Sequence, residues 1–311
     1  MNKAIIFLTL GLLTFTCQFA RSQTDSTATT PEAVVNKPVR FVWESGYLID
    51  QQTGKMGPVK TLEAAIEHKF GTMDKGFKDL YGIYAPGANI RLALDYVIAK
   101  NVQLGYGIQK KNMYSDFNAK WTPLHQMNTG MPITLSFYGN LGIDGREQSV
   151  WTANQYYHSS DPFPYSTYSF KFSNRLSYFS QMMVAHKFCN AFTLQLGASF
   201  SHFNTAPWHL DHDKVGLHAG GRVKISPQGS FIFNCDLPLQ IQAMSEQVDQ
   251  SVHSQPILAF GFEVSTSTHA FQIYVGNNQT FLPQDAMMNN QQKVISENFC
   301  LGFAITRLWG F

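Results

Sequence analysis

Four ionisable side chains crowd the heptapeptide PWHLDHD, Pro207 to Asp213: His209, Asp211, His212 and Asp213. Imidazole and carboxylate together suit a divalent metal, or a His/Asp catalytic cluster of the kind found in barrel proteases. The spacing fixes no third and fourth ligand, and loops are commonly rich in both residues, so an ordinary polar loop is the simpler reading. His68 raises a different question. In TLEAAIEHKFG it shares its parity with Leu62, Ile66 and Phe70, a face that should meet lipid. An ionisable group at membrane depth is costly and defaults to a functional hypothesis. Ser180 and His186 share the outward parity of a later strand, as a lipid-facing Ser/His hydrolase would require, but no G-x-S-x-G elbow accompanies them. The plainer alternatives place His68 at the membrane rim or a subunit contact, or invoke a bulge that reverses the parity. The third group is a mixed-sign set on the opposite faces: Glu63, Glu67, Lys69, Arg91, Asp95, Lys120, Arg222, Lys224, Asp236 and Glu263. Such a set makes either a charged constriction that selects small solutes or the ion-paired filling of a narrow lumen.

These residues need elements to position them, and composition narrows the choice. The 311 residues are 14% aromatic and only 14% charged, against about 25% charged in ordinary soluble domains. Mean hydropathy is nevertheless −0.16, and no run of about 20 apolar residues exists, so a helical membrane protein is excluded. The net charge of +2 comes without a basic stripe or nucleic-acid motif. What remains is an all-β chain whose strands carry one apolar and one polar face. Period-2 alternation marks strands at 61–71, 88–99, 102–111, 116–125, 131–143, 171–186, 192–203, 214–226, 230–241, 256–266, 269–279 and 298–311. In the second, Ile90, Leu92, Leu94, Tyr96 and Ile98 oppose Asn89, Arg91 and Asp95. Joins alternate between short and long, with 112–115 the exception. That is the layout of a transmembrane antiparallel up-and-down β-barrel of about twelve strands. In lipid every backbone N–H and C=O must be paired within the protein, so the last strand must close on the first.

Ahead of the barrel, residues 1–22 have the form of a signal peptide: Lys3, a short apolar run from Ala4 to Phe15, and Ala20-Arg21-Ser22 before the cut. Residues 23–60 read as a periplasmic leader, its later part a plug or a lead-in to the first strand. Residues 61–311 form the barrel. Its last strand, NFCLGFAITRLWGF, sets bulky residues against small ones and ends on an aromatic. Phe303, Ile305, Trp309 and Phe311 fit the terminal signal that outer-membrane assembly machinery reads.

ESGYLID, LEAAIEHKFG (Leu62–Gly71), KDLYG (Lys78–Gly82), ANIRLALDYVIAKNVQLGYG (Ala88–Gly107) and THAFQIYVGNNQ (Thr268–Gln279) resemble the bacteroidete-type outer-membrane β-barrel family catalogued as domain of unknown function 5777. The resemblance implies a barrel in the outer membrane of a diderm bacterium. It carries no activity, cofactor or metal with it. The expected function is a narrow channel, or a transport-related or structural envelope component, in contact with outer-membrane lipid, barrel assembly machinery and a small solute, and not with nucleic acid. A membrane-embedded hydrolase or a structural partner in an outer-membrane complex stands as the alternative. Oligomeric state is left open.

Overall fold

In the computed structural model, residues 36–40, 42–153, 156–158, 170–207, 210–241 and 253–311 are described. The signal-peptide reading of residues 1–22 therefore lies outside the described residues, as does His209. Twelve strands form one closed antiparallel barrel. In chain order they are β1 (Thr61–Thr72), β2 (Asn89–Ala99), β3 (Val102–Gln109), β4 (Ser115–Leu124), β5 (Thr134–Ile143), β6 (Leu176–Lys187), β7 (Phe192–Phe203), β8 (Asp213–Lys224), β9 (Gly229–Pro238), β10 (Ile257–Ser265), β11 (His269–Gly276) and β12 (Cys300–Gly310). Neighbours in sequence pair throughout, and β12 closes on β1, setting Phe303 against His68, Ile305 against Ile66 and Trp309 against Leu62.

The closure follows from the alternation. Leu92, Leu94, Leu196, Leu217, Phe262 and Ile273 each remain about half exposed on the outer wall. A continuous apolar belt of that extent is a surface for lipid. Inward positions are mostly polar or small, with Tyr138, Phe179, Met183, Ile232 and Ile257 among the larger exceptions, and most are buried. Aromatic pairs mark the two edges of the belt. Tyr106 packs on Phe117 at 5.0 Å near the long loops, and Trp121 stacks on Phe137 at 5.6 Å near the short turns. Arg307, the one charge on the outer face of β12, stands over the Trp309 ring at 4.8 Å at the turn end, where a long side chain reaches the interface.

Strand ends depart from the alternation where backbone geometry intervenes. The run expected from 171 begins at Leu176, because Phe172–Arg175 forms a 3-10 turn. The run expected to end at 111 ends at Gln109, because Lys111–Met113 is a 3-10 turn with Asn112 at φ 52°. Likewise the run at 269–279 stops at Gly276 and that at 298 starts at Cys300. Asp213, expected in a loop, opens β8. The tight β2–β3 turn places Asn101 at φ 65°, a left-handed position that Asn tolerates better than most residues.

Two segments outside the wall fold back inside it. From the turn end, a hairpin of Tyr47–Leu48 paired with Gln51–Gln52 enters the lumen. From the loop end, the β11–β12 connection carries a short helix, Pro283–Asn289, whose Gln284, Asp285, Ala286, Met287 and Met288 are buried. Proline at its start suits a first helical turn, where no backbone donor is lost. Residues 280–297 carry no alternation and read as a plain loop, so this helix is a correction.

Candidate functional site: a sealed lumen

The inward charges meet the two inserts. Lys69 lies at the junction, with its ammonium paired to Asp50 of the hairpin turn. The same ammonium donates to the Thr280 carbonyl at 2.9 Å and stands 4.8 Å from the centre of the Phe281 ring, both on the loop-end insert. Asn278 donates to the other Asp50 oxygen at 3.2 Å. One lysine therefore holds both inserts, and they touch each other beside it. Burial pushes the Asp50 carboxyl upward, although the Lys69 charge opposes it.

Around this junction the wall is cross-linked by charge. Arg91 donates to Glu67 at 2.7 Å and to both oxygens of Asp116 at 2.8 and 3.1 Å. Gly107 leaves the room this fork needs: a Cβ there would lie 2.6 Å from both the Arg91 and Asp116 side chains. Asp95 accepts the Tyr47 hydroxyl. Burial, and then the Asp95 charge, hold that hydroxyl well above its ordinary range, so it remains a donor. Glu63 accepts the Gly46 N–H at 3.2 Å, and Lys120 reaches Gln52 at 3.4 Å. Arg222 pairs with Glu44 at 2.7 Å and Glu263 at 3.4 Å, while Glu263 also accepts from Gln272 at 2.8 Å. Asp236 accepts from Gln51 and from His218. Lys224 departs from the set. It is half-buried at the turn end of β8, opposite Ser230, and stands apart from the junction.

The space that remains is small. A void of about 30 Å³ lies between the inserts, lined among others by Tyr47, Asp50, Arg91, His218, Phe281 and Met287. That volume accommodates roughly one or two water molecules. Each end opens more widely. A cavity of about 250 Å³ at the loop end is bounded by Tyr114, Asp144, Arg146, Trp151 and Asp285, and one of about 340 Å³ at the turn end by Trp43, Lys55, His125 and Leu308. Burial pushes Lys55 downward.

PWHLDHD does not assemble as a metal site among the described residues. His212 Nδ1 lies 2.6 Å from the Phe203 carbonyl, and Asp213 pairs with His202 at 2.7 Å, so spacing made neighbours of groups that face different partners. No group of three or more His, Cys, Asp or Glu side chains suited to a metal occurs among the described residues. His68 faces outward in regular register, since the β1–β12 irregularity falls between Cys300 and Gly302. Its ring stacks on Phe303 at 5.2 Å and meets Phe70 edge-on at 4.4 Å. Ser180 and His186 lie on different levels of β6, and His186 Nδ1 turns to the Pro132 carbonyl.

Residues 43–309 match the family of membrane-bound β-barrel domains, domain of unknown function 5777. The chain belongs to that family. Among curated proteins, none matches it in sequence. Solved structures with a similar barrel include the NanC porin (7% identity, covering 80% of this chain and 99% of that one, TM-score 0.46). The KdgM porin is 6% identical over 81% and 99%, with TM-score 0.43. An outer-membrane channel from Pseudomonas putida F1 is 12% identical over 82% and 98%, with TM-score 0.45. At these values the likeness is one of general barrel form.

Several residues of this family barrel's interior carry no local mark in the sequence. Glu44, Tyr47, Asp50 and Gln51 sit on a segment too short to alternate, and Asp285 on the unexpected helix. Asp116, Ser199 and His218 are inward by parity alone, which is the signal that finds them.

Proposed function

We propose that the protein is an outer-membrane barrel sealed at rest, an envelope component that does not work as a standing pore. The long-loop end faces outward, and the turn end, with the N-terminal hairpin and Phe311, faces the periplasm. The observation that carries this reading is Lys69 holding both inserts at once, beside a void of about 30 Å³. An unobstructed channel needs a continuous water path, and this lumen is filled by side chains, as narrow barrels are. Gated passage of a small solute is a second reading. It is favoured by the polar inner wall and by the hydrogen bonds through which Lys69 and Asn278 join the two inserts. Planar-bilayer recording separates the two. The intact protein is expected to give no steady conductance, and deletion of residues 42–56 to open one. Steady conductance from the intact protein refutes the sealed barrel; silence from a folded deletion variant refutes the gate.

The outward Phe303, Ile305 and Trp309 of β12, followed by the exposed Phe311, support the assembly-signal reading. Phe311→Ala is expected to lower barrel yield in cells while leaving the folded protein's melting temperature unchanged, because Phe311 is 79% exposed. Unchanged yield would sink that role.

A further inference from the structure

Three side chains stand in a row across β7, β8 and β9 on the lumen wall. Ser199 Oγ lies 2.7 Å from His218 Nε2, and His218 Nδ1 lies 2.7 Å from Asp236 Oδ1. An ionised carboxylate only accepts, so Nδ1 carries the hydrogen; a neutral imidazole then accepts the Ser199 hydroxyl proton at Nε2. That is the tautomer in which an imidazole serves as base to a serine. Asp236 is itself held by Asn234 at 2.9 Å and by Gln51 of the hairpin. All three members are buried, with exposures of 5%, 7% and 3%.

The surroundings supply two further parts. Gln181 is directly opposite Ser199 on β6 and lines the central void together with His218 and Asp236. Tyr138, Phe179 and Ala286 add an apolar border, with Phe179 edge-on to His218 at 6.2 Å. Met287 of the lumen helix is the cover. A Cβ placed on Gly216 would be 2.8 Å from both the Met287 sulfur and Ser199 Oγ, so thioether and hydroxyl share one small space. With the helix in place the void admits water and nothing larger.

We propose that Ser199, His218 and Asp236 form a serine-hydrolase site for carboxylic esters with an apolar acyl group, covered at rest by Met287. Ser199 Oγ attacks the ester carbonyl carbon as its proton passes to His218 Nε2. The tetrahedral oxyanion is met by the Gln181 amide. His218 returns the proton to the departing alkoxide, leaving an acyl-serine. A water then attacks that acyl carbon, giving its proton to His218, and the released serine recovers it. Asp236 is the positioning residue: it holds the imidazole tautomer without touching the ester. The site does not depend on the lumen being impermeable, because labelling reads Ser199 and conductance reads the seal.

A fluorophosphonate probe on the full-length barrel in detergent micelles tests this. Its reaction joins Ser199 Oγ to phosphorus, expels fluoride and moves the hydroxyl proton to His218. The expected result is a probe adduct mapped to Ser199 by mass spectrometry, forming faster in Met287→Ala and absent in Ser199→Ala. His218→Gln is expected to slow it by about 10²-fold, the scale of a lost general base. Asp236→Asn should slow it and change its pH profile, which a packing role alone would leave unmoved. Should Met287→Ala misfold by circular dichroism, replacing Phe281–Asn289 with a glycine–serine linker uncovers the same hydroxyl. A folded, uncovered barrel with no adduct on Ser199 overturns the proposal. So does labelling that is as fast without His218.

Discussion

The two inserts enter one lumen from opposite ends and are held by different balances of charge and apolar packing. The hairpin segment packs Trp43, Leu48 and Ile49 against Ile232, Ala259 and Tyr274, and adds contacts to charged groups of the wall. Glu44 meets Arg222, Tyr47 meets Asp95, Asp50 meets Lys69 and Gln51 meets Asp236, with Glu44 and Asp50 half-buried and the rest buried. The lumen helix is held mainly by neutral groups. Gln284 donates to Asn140 at 3.0 Å and Ser177 at 3.2 Å, and Leu282, Ala286 and Met287 pack apolar surface. Its ion pair, Asp285 with Lys111 at 2.9 Å, has a partner 37% exposed to solvent. Net contributions from neutral hydrogen bonds are about 1 kcal/mol each. Breaking a buried ion pair from one side costs about 3–5 kcal/mol. The hairpin therefore behaves as part of the wall, and the helix as the element that can leave.

Lys69 is where the contrast is most exposed to failure, because it serves both inserts. Lys69→Met keeps most of the side-chain volume but leaves the Asp50 charge buried without its cation. The expected loss is about 3–5 kcal/mol in chemical denaturation, with protease access to residues 42–56 and the appearance of channel openings. If the variant stays closed and stable, charge does not hold the hairpin and the distinction collapses.

Acid should separate the inserts without any mutation. Burial alone would raise the Asp285 carboxyl, but Lys111 and the Asn289 amide outweigh it, and its folded value lies below the ordinary one. A depressed carboxyl contributes stability above its unfolded value, about 3.9, and that contribution fades as pH falls through the folded value. Asp50 is raised instead, chiefly by burial. A raised carboxyl binds its proton more tightly when folded, so its charged form weakens the structure as pH rises and acid relieves that term. Below about pH 4, hydrogen exchange is expected to increase first in 277–290 and later in 42–56. The reverse order would mean that the helix is the better anchored insert.

How much of this was legible follows from what alternation can encode. Leu92 and Leu94 against Arg91 and Asp95 fix the face each side chain takes, so a closed barrel of about twelve strands was open to reading, while the register between strands was not. Most inward charges were legible as inward, and the sequence could not say whom they meet. Lys69 finds Asp50 19 residues upstream and Thr280 211 residues downstream, and no local pattern reports a contact of that range. The hairpin strands are two residues each, and the lumen helix is seven. Periodicity needs longer windows than these. The Ser199–His218–Asp236 row lies between the two cases. Its members are spaced by 19 and 18 residues, about the distance at which an antiparallel chain returns to the same height on the next strand. Parity places each of them inward, and only the register shows that they touch.

His68 supplies the smallest effect and the control on the comparison. Its outward parity made it the strongest single anomaly of the wall, yet its ring is absorbed in a stack with Phe303 and an edge contact with Phe70, near the loop end of β1. Neither insert touches it. If the lumen alone decides what is fixed and what can leave, His68→Leu should keep the strand pairing and shift stability by no more than about 0.5 kcal/mol, as surface changes away from special features do. It should also leave the bilayer record silent and the Ser199 labelling rate unaltered. Denaturation, conductance and labelling measured on that one variant make the point sharply. A leak would mean that the closing seam between β1 and β12 transmits strain to Lys69, its neighbour in sequence on the inner face. The inserts would then have to be treated as coupled to the lipid-facing wall, and not only to each other.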